Sequence, residues 1–455
     1  MVYRAARKLH CVRNAPKLCP STAKAPIVES TLIHTGRSQF LRANLHFARA
    51  LMHASAHCEI HAWEDIYDTA GLKLWARGKR VDAHLLERLS NRTLRKPIEL
   101  CVHAREPIPG HVADLIEAQI AHAPDLALAV APQAARLLRV VRNLVLNPTE
   151  LLLLQVLRFA EGDRLAHAAR VLALALAQFD ADVSEFEWMQ TTAHAALLHD
   201  IGELYLPPAP ASTTELSNAR QHPVIGARVA TELARCPAQV GRQIELSHER
   251  LDGSGYPNAL QGRRVPAYAH ALLFAEAIAD IVAGNNGLRR ASVRTRLRPG
   301  AFAANMVDGL MPLAQLQPVA VEANILSASE VGARLRELHG QLGRVVVLVK
   351  LPFLETEAVR AAAAQWFDFV GPLMWALRAS GVEDALAMGI TLAPNDAGER
   401  IELAALLEQV IDNRDELRER VNRFAHDEPQ VPPSRLVVEL QEILNTPDAA
   451  ASSVQ

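Results

Sequence analysis

The sequence predicts a mainly α protein: a central helical bundle, a small mixed unit with a β-hairpin in front of it, and a helical C-terminal extension. Three observations carry this. Apolar residues recur three and four apart through Asp125–Phe179, Phe186–Leu198, Val224–Ala234 and Ala267–Val282, the period of a helix with one buried face. Short alternating runs around a Gly-containing turn occur between about 60 and 100. The 455 residues, 50% hydrophobic and 22% charged, exceed one ordinary core and have the composition of a globular chain.

Residues 1–59 read as a basic, helical N-terminal segment. Arg4, Arg7, Lys8, Arg13, Lys17 and Lys24 precede the first acid, Glu29, and without an apolar core they suit a frayed start better than a transit segment. Residues 60–125 form the accessory unit: Asp65–Asp68 and Leu72–Gly78 flank Thr69-Ala70-Gly71 as a hairpin, and Val81–Leu89 follows as a helix. The central domain, 126–325, is a set of helices broken at Pro148, with a rigid Pro-rich loop at 207–214. In the helical region 326–444, Val345–Lys350 is expected as a strand. Leu403, Leu407, Val410, Leu417, Val421 and Phe424 mark an amphipathic helix with Arg414 in its seam. That helix is expected to cover its own core, with a coiled-coil homodimer as the alternative. Residues 445–455 read as a disordered tail.

The formal charge of −2 gives no general attraction to nucleic acid or an anionic membrane, so an anionic ligand needs local basic groups. Five cysteines lack metal-ligand spacing and suit a reducing cytoplasm. No run reaches the ~18 apolar residues of a bilayer span.

The chemistry concentrates in residues 160–290. Adjacent His199 and Asp200, at a helix end, can direct an imidazole and a carboxylate to one ion, and Ile201-Gly202 lets the chain leave the helix sharply. A lone His-Asp pair is more often a buried histidine bonded to its neighbour. His167 lies on the helix Leu165–Ala177, with Asp163 one turn before it on the same face. His222 precedes Pro223 at another helix entry. The segment Ser247-His248-Glu249-Arg250-Leu251-Asp252-Gly253-Ser254-Gly255-Tyr256-Pro257 then demands tight turns and an extended exit.

Together, His199-Asp200, His222-Pro223 and the Asp252–Pro257 segment resemble the HD-GYP family of HD-superfamily phosphohydrolases. The resemblance implies a helical bundle holding one or two transition-metal ions, iron or manganese, and hydrolysis of cyclic di-GMP or a related phosphodiester. By position it implies His167, His199, Asp200, His222, His248 and Glu276 as ligands, Asp163 as an additional one, and Asp200 as the bridge. Asp200, Glu203, Arg289 and Arg290 are the implied catalytic groups. Asp252, Gly253, Gly255, Tyr256 and Pro257 form the substrate or partner loop, which in one reading meets a diguanylate cyclase domain. Three positions depart from the family pattern: Ser247 replaces a histidine, Glu203 a phosphate-binding lysine, and Glu276 an aspartate. These departures give the alternatives of a catalytically impaired signalling scaffold or nucleotide sensor, and of a phosphohydrolase for a nucleotide monoester.

Overall fold

Asn44 starts the first described helix, α1 (Leu45–His57), by accepting hydrogen bonds from the amides of His46 and Phe47. The computed structural model describes residues 40–89, 92–105, 112–160, 162–179, 186–207, 219–320, 326–350, 356–388, 392, 394, 396–427 and 434–446. The basic start, most of the 207–214 loop and the tail beyond 446 lie outside these residues. After α1, β1 (Ile60–Ala62) is followed by β2 (Ile66–Tyr67), β3 (Lys73–Trp75), α2 (Ala83–Leu89) and β4 (Val102–Ala104). The strands β2 and β3 form the expected hairpin, and Asp68 Oδ1 braces its turn by accepting from the Leu72 amide at 2.8 Å. The antiparallel pairing of β1 with β4 has no local signal in the sequence, because its strands are far apart in the chain.

Helices α3 (Val112–His122), α4 (Pro124–Val130), α5 (Ala134–Arg142) and α6 (Pro148–Arg158) lead into the bundle. Pro148 opens α6 rather than breaking a helix: Asn147 caps the Thr149 and Glu150 amides while Glu150 returns to the Asn147 amide. Next come α7 (Arg164–Ala177), α8 (Phe186–Leu198), α9 (His222–Arg228), α10 (Ala238–Leu246) and α11 (His270–Ala283). The Ala- and Leu-rich α7 is buried along most of its length between α8 and α11. Then α12 (Gly287–Arg296) and α13 (Ala304–Ala314) close this part. One hydrophobic core joins Phe47 of α1 to Ala314 of α13, so the N-terminal unit and the bundle share an interior.

A second core is built by α14 (Ala328–Val349), α15 (Glu357–Ala379), α16 (Val382–Ala387), α17 (Ala397–Asp427) and α18 (Arg435–Asn445), and it takes Val293 from α12 and Leu297 from just beyond its end. The strand expected at Val345–Lys350 is instead the end of α14. A Ser327–Glu330 capping box starts that helix, and Val345 and Val349, four apart, are buried while Val347 is exposed. In α17 the expected seam residues Leu403, Leu407, Val410, Leu417 and Val421 are buried within this core, and Phe424 meets Trp366 edge-on. Among the described residues no helix is long and apolar enough to cross a membrane.

Candidate metal centre

Three helix ends converge on Asp200. At the end of α8 the chain turns through Ile201–Tyr205, and Gly202 is required there because a Cβ would collide with the carbonyl oxygen of His222. That close approach brings α9 and its first residue, His222, against the His199–Asp200 turn. His248 follows the end of α10, and His167 projects from α7. His199 Nε2 and His222 Nε2 lie 3.1 and 3.6 Å from Asp200 Oδ1, His248 Nε2 3.8 Å from the same oxygen, and His167 Nε2 3.8 Å from Oδ2. Two ligand sets result, His167–His199–Asp200 and Asp200–His222–His248, and they share the one carboxylate.

The tautomers are set by the backbone. His199 Nδ1 faces the Ala196 carbonyl at 2.9 Å and His222 Nδ1 faces that of Ala219 at 2.8 Å. Each Nδ1–H therefore donates to its carbonyl and leaves an Nε2 lone pair toward Asp200. His199 Nε2 is buried with no hydrogen-bond partner, as a ligand nitrogen facing a cation would be. Burial and His248 push His222 down to about 3, and burial also lowers His199, so both imidazoles are neutral donors. Burial alone would raise Asp200, but His199, His248 and His222 overcome it and hold the carboxyl well below the usual range. Neutral imidazoles around an ionised carboxylate fit a divalent transition metal.

Further groups orient this set. His167 Nδ1–H donates to Asp280 Oδ1 at 2.9 Å, and Arg170 holds the same oxygen at 2.7 Å. Glu276 lies 3.4 Å from His248 Nδ1 and 2.9 Å from Arg250. Burial opposes its ionisation, yet His248 and Arg250 lower it. The Tyr256 ring stacks on His248 with centroids 4.8 Å apart, and the Tyr256 amide donates to the His248 carbonyl. Gly255 permits this return, since a Cβ there would strike the Arg250 amide nitrogen. Asp252 Oδ1 accepts from the Ser254 amide, Gly253 has φ 82°, and the Tyr256–Pro257 peptide is cis.

Several expected site residues stand apart from this convergence. Asp163 is exposed at the start of α7, outside both ligand sets. Arg289 and Arg290, expected among the catalytic groups, instead pair with Glu402 at 2.7 Å and Glu408 at 2.5 Å on α17. Glu203 is held by Arg164 at 2.9 Å, and burial and Asp200 push it up to about 7 against that arginine. Ser247 is fully buried and its hydroxyl donates to the Ile244 carbonyl, back into its own helix. Sequence reasoning missed Asp280 and Arg164. The signal for Asp280 was its i,i+4 spacing from Glu276 on one face of α11; for Arg164, it was its place one turn before His167.

Residues 153–296 match the HD domain family. The region around Asp200 therefore matches the HD domain, and it resembles the HD-GYP type of that superfamily. It is 32% identical over 126 residues to a cyclic di-GMP phosphodiesterase response regulator of Xanthomonas campestris pv. campestris, covering 26% of this chain and 31% of that one. It is 39% identical over 79 residues to a cyclic di-GMP phosphodiesterase of Thermotoga maritima (16% and 22%), and 27% identical over 185 residues to one of Pseudomonas aeruginosa (39% and 42%). The chain thus spans less than half the length of these curated relatives. No solved structure matches it.

Proposed function

We propose that this protein is a metal-dependent phosphodiesterase acting on cyclic di-GMP or a related phosphodiester, with iron or manganese as its metal. The observation that carries the reading is the single carboxylate of Asp200 shared by two histidine sets. His167, His199 and Asp200 would hold one ion, and Asp200, His222 and His248 a second, with Glu276 beside His248. When bound, such ions lower the pKa of a water at neutral pH and neutralise a diester oxygen.

The chain's own residues prepare this. The Ala196 and Ala219 carbonyls fix two imidazoles in the ligating tautomer, Asp280 fixes a third, and Tyr256 restrains the ring plane of His248. Arg164 offsets the negative charge of Glu203, where the family pattern has a lysine, and lies 3.9 Å from Asp200. His248 and Arg250 keep Glu276 ionised beside the cluster.

The test is production of linear dinucleotide or GMP from cyclic di-GMP with manganese or iron supplied, and its loss in His199→Ala and Asp200→Ala. A wild-type protein as silent as both variants rejects the reading. That outcome favours a metal-holding scaffold, which the Ser247 hydroxyl's orientation into α10 also supports, because it leaves the His248 side one ligand short.

A further inference from the structure

Beside the histidine cluster lies a cavity of about 390 Å³, at the small end of the roughly 300–1,000 Å³ typical of ligand pockets. One end is formed by His167, Glu276 and Asp280, so it opens onto the proposed metal centre. The far wall does not belong to the HD domain: it is α17, through Gln409, Asp412, Asn413 and Glu416. Between these walls stand three arginines, Arg250, Arg294 and Arg298.

Arg250 is held by Glu276, and the other two arginines are held from the α17 side. Arg294 pairs with Asp412 and donates through Nε to Gln409 Oε1 at 3.2 Å, while Arg298 pairs with Glu416 at 3.0 Å. Gln409 Nε2 donates to Asn413 Oδ1 at 2.7 Å, giving a buried amide pair on the cavity wall. Helix α17 also reaches the loop on the other side of the cluster. Arg420 donates to the Ser254 carbonyl at 2.7 Å, and Glu419 holds Arg220, whose guanidinium lies over the Tyr256 ring. Helix α17 therefore spans the mouth of the site from α12 to the Tyr256 loop.

We propose that this cavity is a composite nucleotide-binding chamber. Arg250, Arg294 and Arg298 receive the phosphate of a nucleotide ester, and Gln409 and Asn413 of α17 contact its base. The proposal rests on the phosphodiesterase reading for the class of ligand, and it assigns the C-terminal region a part in binding. Guanidinium groups match phosphate oxygens in bidentate geometry, and paired amides offer a base both donors and acceptors. A phosphate entering the chamber takes the place of Asp412 and Glu416 as partner of Arg294 and Arg298. These two acids therefore compete with the ligand.

That competition gives the test opposite signs at neighbouring positions. With 5′-GMP as the probe, titrated calorimetrically into the full chain with manganese supplied, Asn413→Ala weakens binding about five- to tenfold by removing a base contact. Glu416→Gln tightens it by a similar factor, because Arg298 loses its competitor. General damage to the fold weakens both. Wild-type protein that does not bind 5′-GMP, or two variants that shift the same way or not at all, overturns the chamber. Hydrolysis of bis(4-nitrophenyl) phosphate by the wild type separates this from the parent reading. If that diester is untouched while the two GMP shifts appear, the chemistry fails and the chamber stands. If it is cleaved and the shifts are missing, only the chamber fails.

Discussion

The two flanks of the HD domain are joined to it in opposite ways. On the N-terminal side the join is apolar and continuous: Phe47 of α1 stacks on Tyr205 with centroids 5.0 Å apart, five residues beyond Asp200. Asn44 donates to the Tyr205 carbonyl, and the Tyr205 hydroxyl donates to buried Glu99 at 2.9 Å. On the C-terminal side, Val293 and Leu297 enter a separate core, but alongside it runs a row of ion pairs between Arg289, Arg290, Arg294 and Arg298, on and just after α12, and acids of α17, the last two of which, Arg294–Asp412 and Arg298–Glu416, face the cavity. Apolar burial is not screened by salt and offers no charge for a ligand to capture, whereas partly solvated ion pairs respond to both. The first flank is therefore built to brace the His199–Asp200 turn, and the second to exchange partners.

The largest expected effect breaks the apolar flank. Phe47 is fully buried, so Phe47→Ala removes an aromatic ring from the shared core and should destabilise the protein by about 3–5 kcal/mol. Denaturant unfolding followed by circular dichroism measures it. A loss of under about 1 kcal/mol would mean that the N-terminal unit is an appendage, and the contrast between the flanks would collapse.

Next in size is a pH effect on the same flank. Burial pushes Glu99 up to about 7 from an ordinary value of 4.5. The unfolded chain therefore releases this proton first as pH rises, and stability is lost between about pH 4.5 and 7 and then levels off. The shift corresponds to about 3 kcal/mol. Glu99→Gln keeps an acceptor for Tyr205 and cannot ionise, so at pH 8 it should be the more stable protein, with that part of the pH slope removed. Thermal melts of both proteins at pH 5 and pH 8 decide this, and an unchanged slope would show that Glu99 ionises freely in the folded state.

Between the flanks, Asp280→Asn tests the cluster itself. The variant weakens the acceptor that fixes His167 while leaving both ligand sets intact, so manganese affinity should fall roughly 10- to 100-fold. Metal titration provides the measurement. Unchanged affinity would detach His167 from the centre and leave Asp200, His222 and His248 as its substance.

These regions also differ in how far the sequence reveals them. His199, Asp200, His222 and His248 were legible because each sits at a helix end or tight turn with a local signature, and Gly202 and Gly255 mark the close approaches that bring those ends together. Asp280 and Arg164 carry no such signature, since a carboxylate or guanidinium on a helix face reads as solvated until its partner is known. Arg289 and Arg290 illustrate the reverse: their acids lie on α17, more than a hundred residues away, and no local pattern links the two helices. The strand expected at Val345–Lys350 failed because a β-branched run fits either state until packing decides, and packing buried Val345 and Val349 on one helical face.

The smallest effect belongs to the ion-paired flank and sharpens the comparison from its other end. Glu408 is half exposed where it meets Arg290, and Arg294 lies 4.0 Å away. A pair in that setting gains little over hydration, so Glu408→Gln should destabilise the protein by no more than about 1 kcal/mol. What remains should vanish by about 0.5 M salt, where the screening length falls to a few ångströms. Denaturant midpoints of wild type and variant at low and high salt measure both parts. A loss as large as that of Phe47→Ala, or one that persists at high salt, would make the C-terminal join as fixed as the N-terminal one, and the acids of α17 could not then release Arg294 and Arg298 to an incoming phosphate.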